Sequence, residues 1–157
     1  MKDKLATPVL IACALFLGFN TGAGIFGHIF TIPKMLASPA AMIAESVNDA
    51  GQAQYFWIPL HILVFVTLIL STIFNWSNPK RKKLVLIVLG IYLYISVVSI
   101  WFAYKLTLFP AMPDDAEFHR QTKQWLILSW HRVVLQIIGI VLLLIALSKP
   151  KLNESAK

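Results

Sequence analysis

The sequence predicts an all-α integral membrane protein: a four-helix bundle with both termini cytoplasmic and a short interfacial helix between its first two spans. Three observations carry this. Of 157 residues, 58% are hydrophobic and only 13% charged, with a mean hydropathy of +0.72, far from the composition of a soluble domain. Four apolar stretches are long enough to cross a hydrocarbon core of about 30 Å. The basic residues gather beside those stretches, as membrane topology requires. The expected domain is a single transmembrane unit over residues 1–157, with spans at about 5–33, 56–76, 84–109 and 125–147 and a flexible tail at 148–157.

The first span follows Lys2 and Lys4 and stays apolar as far as Pro33, with no small-residue cleavage motif after its core. It therefore reads as a retained helix and not a signal peptide. Gly18 and Gly22 form a GxxxG pair, which lets another backbone approach closely and suggests a homo-oligomer through that face. Asn20, Gly24, His28 and Thr31 recur at helical spacing and make a polar stripe that should face protein. Cys13 is the single cysteine, so no intrachain disulfide forms.

Ser38-Pro39 reads as an N-cap followed by proline at the first helical position. The helix it opens, AAMIAESVNDA, is expected to stop before Gly51 and to lie at the membrane surface as a lid. Glu45 and Asp49 share one face of it. The second span has aromatic anchors, Tyr55 to Trp57 and Trp76, at its two ends. His61, Phe65, Leu68, Thr72 and Asn75 form its interior stripe. A short basic loop with Lys80, Arg81, Lys82 and Lys83 leads to the third span, where Tyr92, Ser96 and Ser99 share a face and Pro110 and Pro113 end the helix. The linker from Asp114 to Lys123 carries His119 and Arg120, and the fourth span starts near Trp125 and carries Trp130-His131-Arg132 in its first part.

Nine basic residues (Lys2, Lys4, Lys80 to Lys83, Lys149, Lys151 and Lys157) fall on the side of the termini, against Asp3 and Glu154. The other side balances Lys34, Lys105, Arg120, Lys123 and Arg132 with five acids. The positive-inside rule then gives a multi-pass protein of the cell membrane, its termini cytoplasmic and its histidine-rich side outward. The net charge of +7 is explained by topology and anionic lipid, and no nucleic-acid motif accompanies it.

His28, His61 and His131 each fall five or six residues inside the outward ends of three different spans, roughly 8 Å below the interface. Three imidazoles at one depth are ligand geometry for a transition metal such as Cu or Fe, or with two of them for haem. Glu45, Asp49 and His119 would form a second shell around them. A metal-free polar pocket and purely structural histidines are the other two readings. His131 and Arg132 are the candidate catalytic pair, the imidazole moving protons and the guanidinium stabilising charge on oxygen. Arg132 otherwise pairs with Glu45 or Asp49, or reaches to lipid headgroups.

The Gly-rich first span, its exit IFTIPKML (Ile29 to Leu36), the AAMIAESVNDA helix, Phe109-Pro110 and the W-x(4)-W-H-R start of the fourth span together resemble the anthrone oxygenase-like family of small membrane proteins. The resemblance implies a four-span fold and oxygenation of a polycyclic phenolic substrate. It supplies none of the site residues, which come from the depth argument. The expected function is thus a membrane oxidoreductase or oxygenase-like protein acting on a lipophilic phenolic or quinone-like molecule. The alternative is a non-enzymatic membrane protein: a small carrier, a metal-handling protein or a subunit of a larger complex. Hydrolase, nucleotide-binding and zinc-protease signatures are absent from the sequence.

Overall fold

A computed structural model describes residues 2–150, with side chains described at 4–44 and 55–150. Every regular element among them is helical: α1 (Lys2–Phe26), a π turn (Gly27–Thr31), α2 (Ile32–Met35), α3 (Pro39–Phe74), α4 (Pro79–Leu108), a 3₁₀ turn (Phe109–Ala111) and α5 (Ala116–Ser148). Four segments are long and apolar enough to cross a membrane: Lys4–Met35, Tyr55–Phe74, Pro79–Ala111 and Ala116–Ser148. The extensive helix contacts run α1 to α3, α3 to α4, α4 to α5 and α5 back to α1. This closed ring of neighbours is that of an up-down-up-down bundle. The tail beyond Pro150 lies outside the described residues.

The outer surface is apolar in the way lipid requires. Phe19, Val97 and Ile100 are 67%, 68% and 72% exposed, and exposed Leu, Ile and Val recur along all four spans. Apolar exposure on that scale marks a membrane or partner surface. Inside, two apolar cores are stacked along the bundle. One packs Leu10, Cys13, Leu17, Val64, Leu68, Val85, Val88, Tyr92, Leu143 and Ala146. The other packs Leu36, Met42, Phe102, Phe109, Phe118 and Trp125 at the opposite end.

Helix starts follow the sequence chemistry. Ser38 Oγ accepts from the Ala41 N–H with Pro39 behind it, and Asn78 caps α4 with Pro79 in the same position. Asp115 accepts from both Glu117 and Phe118 N–H groups at the start of α5. Losing a cap of this kind costs about 1 kcal/mol. Asp115→Ala should therefore lower the thermal unfolding midpoint in detergent slightly, and Asp115→Asn should restore most of it.

Two boundaries differ from the sequence reading. The interfacial helix does not stop before Gly51. The backbone is helical without a break from Pro39 to Phe74, so the expected lid and the second span are one helix. Gly51 alone does not end a helix when no proline follows it closely, and Pro59 is accommodated within α3. The fourth helix begins at Ala116, not near Trp125, because Asp115 supplies the cap that the linker reading overlooked.

Close packing falls on a glycine of α5. A Cβ on Gly139 would lie 3.2 Å from Leu17 Cδ2 and 3.5 Å from Val88 Cγ1, whereas one on Gly18 or Gly22 meets nothing within 4 Å. Gly139→Leu is expected to destabilise the bundle by about 2 kcal/mol through overpacking. Gly18→Leu should leave the isolated chain's stability unchanged, and paired thermal melts check both.

Candidate functional site

Between the two cores lies a cavity of about 270 Å³. Its lining combines apolar walls (Ile32, Ile95, Phe102, Leu106, Val133) with Trp57 and Trp125 and a polar set of Asn20, His28, His61, Ser99, Arg132 and Gln136. Each helix of the ring contributes. The polar stripes read from the sequence on α1, α3 and α4 turn inward here, and on α5 the inward face carries Ser129, Arg132, Val133 and Gln136.

Arg132 is turned into the bundle. Its Nη1 donates to Ser99 Oγ at 3.1 Å and its Nε to the Ser129 carbonyl at 3.4 Å. The guanidinium lies over the Phe102 ring, 4.5 Å from the centroid, a cation–π seat. Trp125 holds that ring in place, donating from Nε1 to the Phe102 carbonyl at 3.1 Å and packing edge-on against the ring. Among the described residues no carboxylate pairs with Arg132. The side chains of Glu45 and Asp49, its expected partners, lie outside the described residues. Snorkelling is not the arrangement found, since the side chain lines the cavity.

His28 sits in the π turn. The wide turn carries its ring against Trp130, with centroids 4.9 Å apart. Such turns inside α-helices are frequent at functional positions. Both ring nitrogens are engaged. Nδ1–H donates to the Gly24 carbonyl at 2.7 Å, and Nε2 lies 2.7 Å from Ser129 Oγ, whose hydroxyl also bonds to the Leu126 carbonyl at 2.8 Å. His28 is thus tied across the bundle from α1 to α5.

His61 has a different partnership. Its Nδ1 is in short contact with the Tyr92 hydroxyl. Asn20 Nδ2 approaches that same Nδ1 at 3.4 Å and the Tyr92 hydroxyl at 3.5 Å. Gln136 Nε2 donates to Asn20 Oδ1 at 3.1 Å. A hydrogen-bonded chain therefore runs from α5 through α1 to α4 and α3.

His131 does not join the other two. It precedes Arg132 by one residue, about 100° away around the helix, and does not line the cavity. Its Nδ1 bonds to the Leu128 carbonyl of its own helix, and its ring packs against Tyr94 and Phe102. This corrects the expected three-histidine ligand set and the pairing of His131 with Arg132 at one catalytic point. Equal depth on three helices does not give convergence unless the azimuths also agree. Among the described residues no three His, Cys, Asp or Glu side chains stand close enough to hold a metal ion. Of the three expected histidine ligands, only His28 and His61 line the cavity. His119 is also placed elsewhere, on the exposed first turns of α5 with Nε2 3.1 Å from Asp114 Oδ1.

Four residues of the polar layer were not singled out as site residues from the sequence: Asn20, Tyr92, Ser129 and Gln136. Asn20 and Tyr92 lay on stripes that were legible as inward-facing, and only their mutual contact was hidden; Gln136 shares the Arg132 face of α5, whose direction was not legible. Ser129, fully buried, gave no signal beyond its spacing of three from Arg132.

In chemical terms the site offers hydrogen-bond donors and a fixed positive charge within apolar, aromatic walls. That combination suits a flat lipophilic molecule with an ionised oxygen. Compared with known proteins, the chain matches no family model, no curated protein and no solved structure.

Proposed function

We propose that the protein is a membrane oxidoreductase of the oxygenase type that takes a lipophilic phenolic or quinone-like substrate into the cavity between its two cores. One observation carries this reading. Arg132 brings a guanidinium into that cavity with no carboxylate partner among the described residues. An ionisable group at membrane depth is costly and marks a functional site by default. An anionic substrate oxygen would act as its charge partner, and the guanidinium fork suits such an oxygen.

The chemistry follows from holding the ionised form. Arg132 stabilises negative charge on the substrate oxygen. An electron-rich phenolate or enolate so held reacts with dioxygen, the co-substrate of this proposal. At an activated ring methylene, one oxygen atom becomes the carbonyl. The other leaves as water with the two hydrogens. In the membrane, the positive-inside rule places the termini in the cytoplasm and the cavity toward the outer face. The Gly18/Gly22 surface is open in the isolated chain, which supports docking of a second copy there. Loss of a crosslinkable dimer in Gly18→Leu would be the corresponding result.

The test uses the full chain purified in mild detergent. Titration with 2-hydroxy-1,4-naphthoquinone, a coloured lipophilic weak acid, should give a saturable visible shift. Anthrone should drive dioxygen uptake matched by formation of the quinone. No saturable shift contradicts the ligand reading. Binding without uptake contradicts the oxygenase step and favours a carrier of the same class of molecule.

A further inference from the structure

The two cavity histidines are not equivalent, and the hydrogen-bond chain behind His61 says why. Gln136 donates to Asn20 Oδ1, so the Asn20 amide presents its N–H groups to His61 and Tyr92. The Tyr92 hydroxyl accepts from Asn20 and has its own proton left to give. Its neighbour on the other side is His61 Nδ1. Nδ1 is therefore the acceptor nitrogen, and a neutral imidazole then carries its proton on Nε2. Tyr92 does not line the cavity whereas His61 does, so the ring edge turned away from Tyr92 is the one offered to a ligand. Among the described residues Nε2 has no protein partner. His28, with both nitrogens engaged, offers the cavity no such group.

We infer that Tyr92, Asn20 and Gln136 are positioning residues that hold His61 as an Nε2–H donor facing the cavity, so that His61 and Arg132 grip two oxygens of one ligand. The class of ligand is then narrower than a simple phenol. It is a flat lipophilic oxyanion with a second, carbonyl-type oxygen for His61, as in a hydroxyquinone. The ligand half of this inference rests on the proposed function; the tautomer half stands independently of it. It also gives His61 a role other than general base, because its lone pair is occupied by Tyr92.

The experiment is nitrogen NMR on the full chain in detergent with ¹⁵N-labelled histidine, the His61 signals being assigned by their loss in His61→Gln. In the wild type at neutral pH, His61 should show a protonated Nε2 and an unprotonated Nδ1. Tyr92→Phe keeps the ring but removes the hydroxyl, and should shift His61 to a mixture of tautomers. The same variant should weaken binding of 2-hydroxy-1,4-naphthoquinone by about fivefold, as expected for one misdirected hydrogen bond. It should leave the affinity for 1-naphthol, which lacks the carbonyl oxygen, unchanged. A wild-type His61 protonated on Nδ1, or a tautomer indifferent to Tyr92→Phe, overturns the inference. Equal weakening for both probes overturns the two-oxygen grip. Failure of the wild type to bind either probe sinks the ligand class, while the tautomer signals still decide the positioning role.

Discussion

Arg132→Gln is expected to weaken binding of the hydroxyquinone probe by about a hundredfold while leaving the unfolding midpoint unchanged or raised. The first half follows from removing the fixed charge that meets the ligand oxygen, where losing one partner of a desolvated charge pair costs 2–5 kcal/mol. The second half follows from the same geometry read without ligand. Among the described residues, Arg132 holds its charge at depth with Ser99 Oγ, the Ser129 carbonyl and the Phe102 face for company. A neutral amide removes a desolvation cost and keeps some hydrogen bonding. Arg132→Lys separates charge from shape: a lysine keeps the charge but loses the planar fork and its seat on Phe102. Its affinity should lie between the two. A side chain present only for packing would lose stability in all variants and leave relative ligand affinities alone.

Arg81→Met should have the largest effect on stability. Arg81 is 3% exposed and joins three parts of the bundle. It donates to the Lys149 carbonyl from Nε and Nη2, at 3.1 and 2.6 Å, and to the Leu147 carbonyl at 3.4 Å. Its Nη1 reaches Thr7 Oγ1 on α1 at 3.0 Å. The last carbonyls of a helix have no partners within it, and a cation there also complements the dipole. Methionine preserves the apolar stem and abandons all four bonds. The cost is about 3 kcal/mol, or an unfolding midpoint lower by roughly 10 °C. Its neighbours Lys80, Lys82 and Lys83 make no such bonds, and their glutamine variants should melt within about 2 °C of wild type. Thermal melts of the four variants in one detergent check the contrast.

Arg81 also shows where sequence reading runs out. Among Lys80, Arg81, Lys82 and Lys83, charge alone assigned all four to topology. That one of them turns inward depends on the azimuth of α4 and on where α5 ends, and both are tertiary facts. The spans themselves were legible because hydropathy over twenty residues is a strong signal. The caps at Ser38 and Asn78 obey local chemistry, and the first was read from the Ser-Pro pair. The lid was misread because one glycine was given the weight of a terminator. The histidine site was half legible. Depth can be counted along a chain, so His28 and His61 were rightly placed in one layer. Azimuth on α5 was also countable, since neighbours such as His131 and Arg132 lie about 100° apart on a helix. Which of the two faces the interior depends on how α5 is rotated in the bundle, a tertiary fact. The π turn at Gly27–Thr31, which seats His28 and leaves Thr31 outside the cavity lining, has no sequence signature that could have announced it.

The measurement that tests the central claim most directly is a crystal structure of the full chain soaked with 2-bromo-3-hydroxy-1,4-naphthoquinone, phased on the bromine. The account predicts one strong anomalous peak in the cavity between Arg132, His61 and Phe102, with the ionised oxygen on the guanidinium, and its loss in Arg132→Gln. An empty cavity with the probe held only against the lipid-facing helix surface would contradict it, and Arg132 would then be a structural cation seated on Phe102.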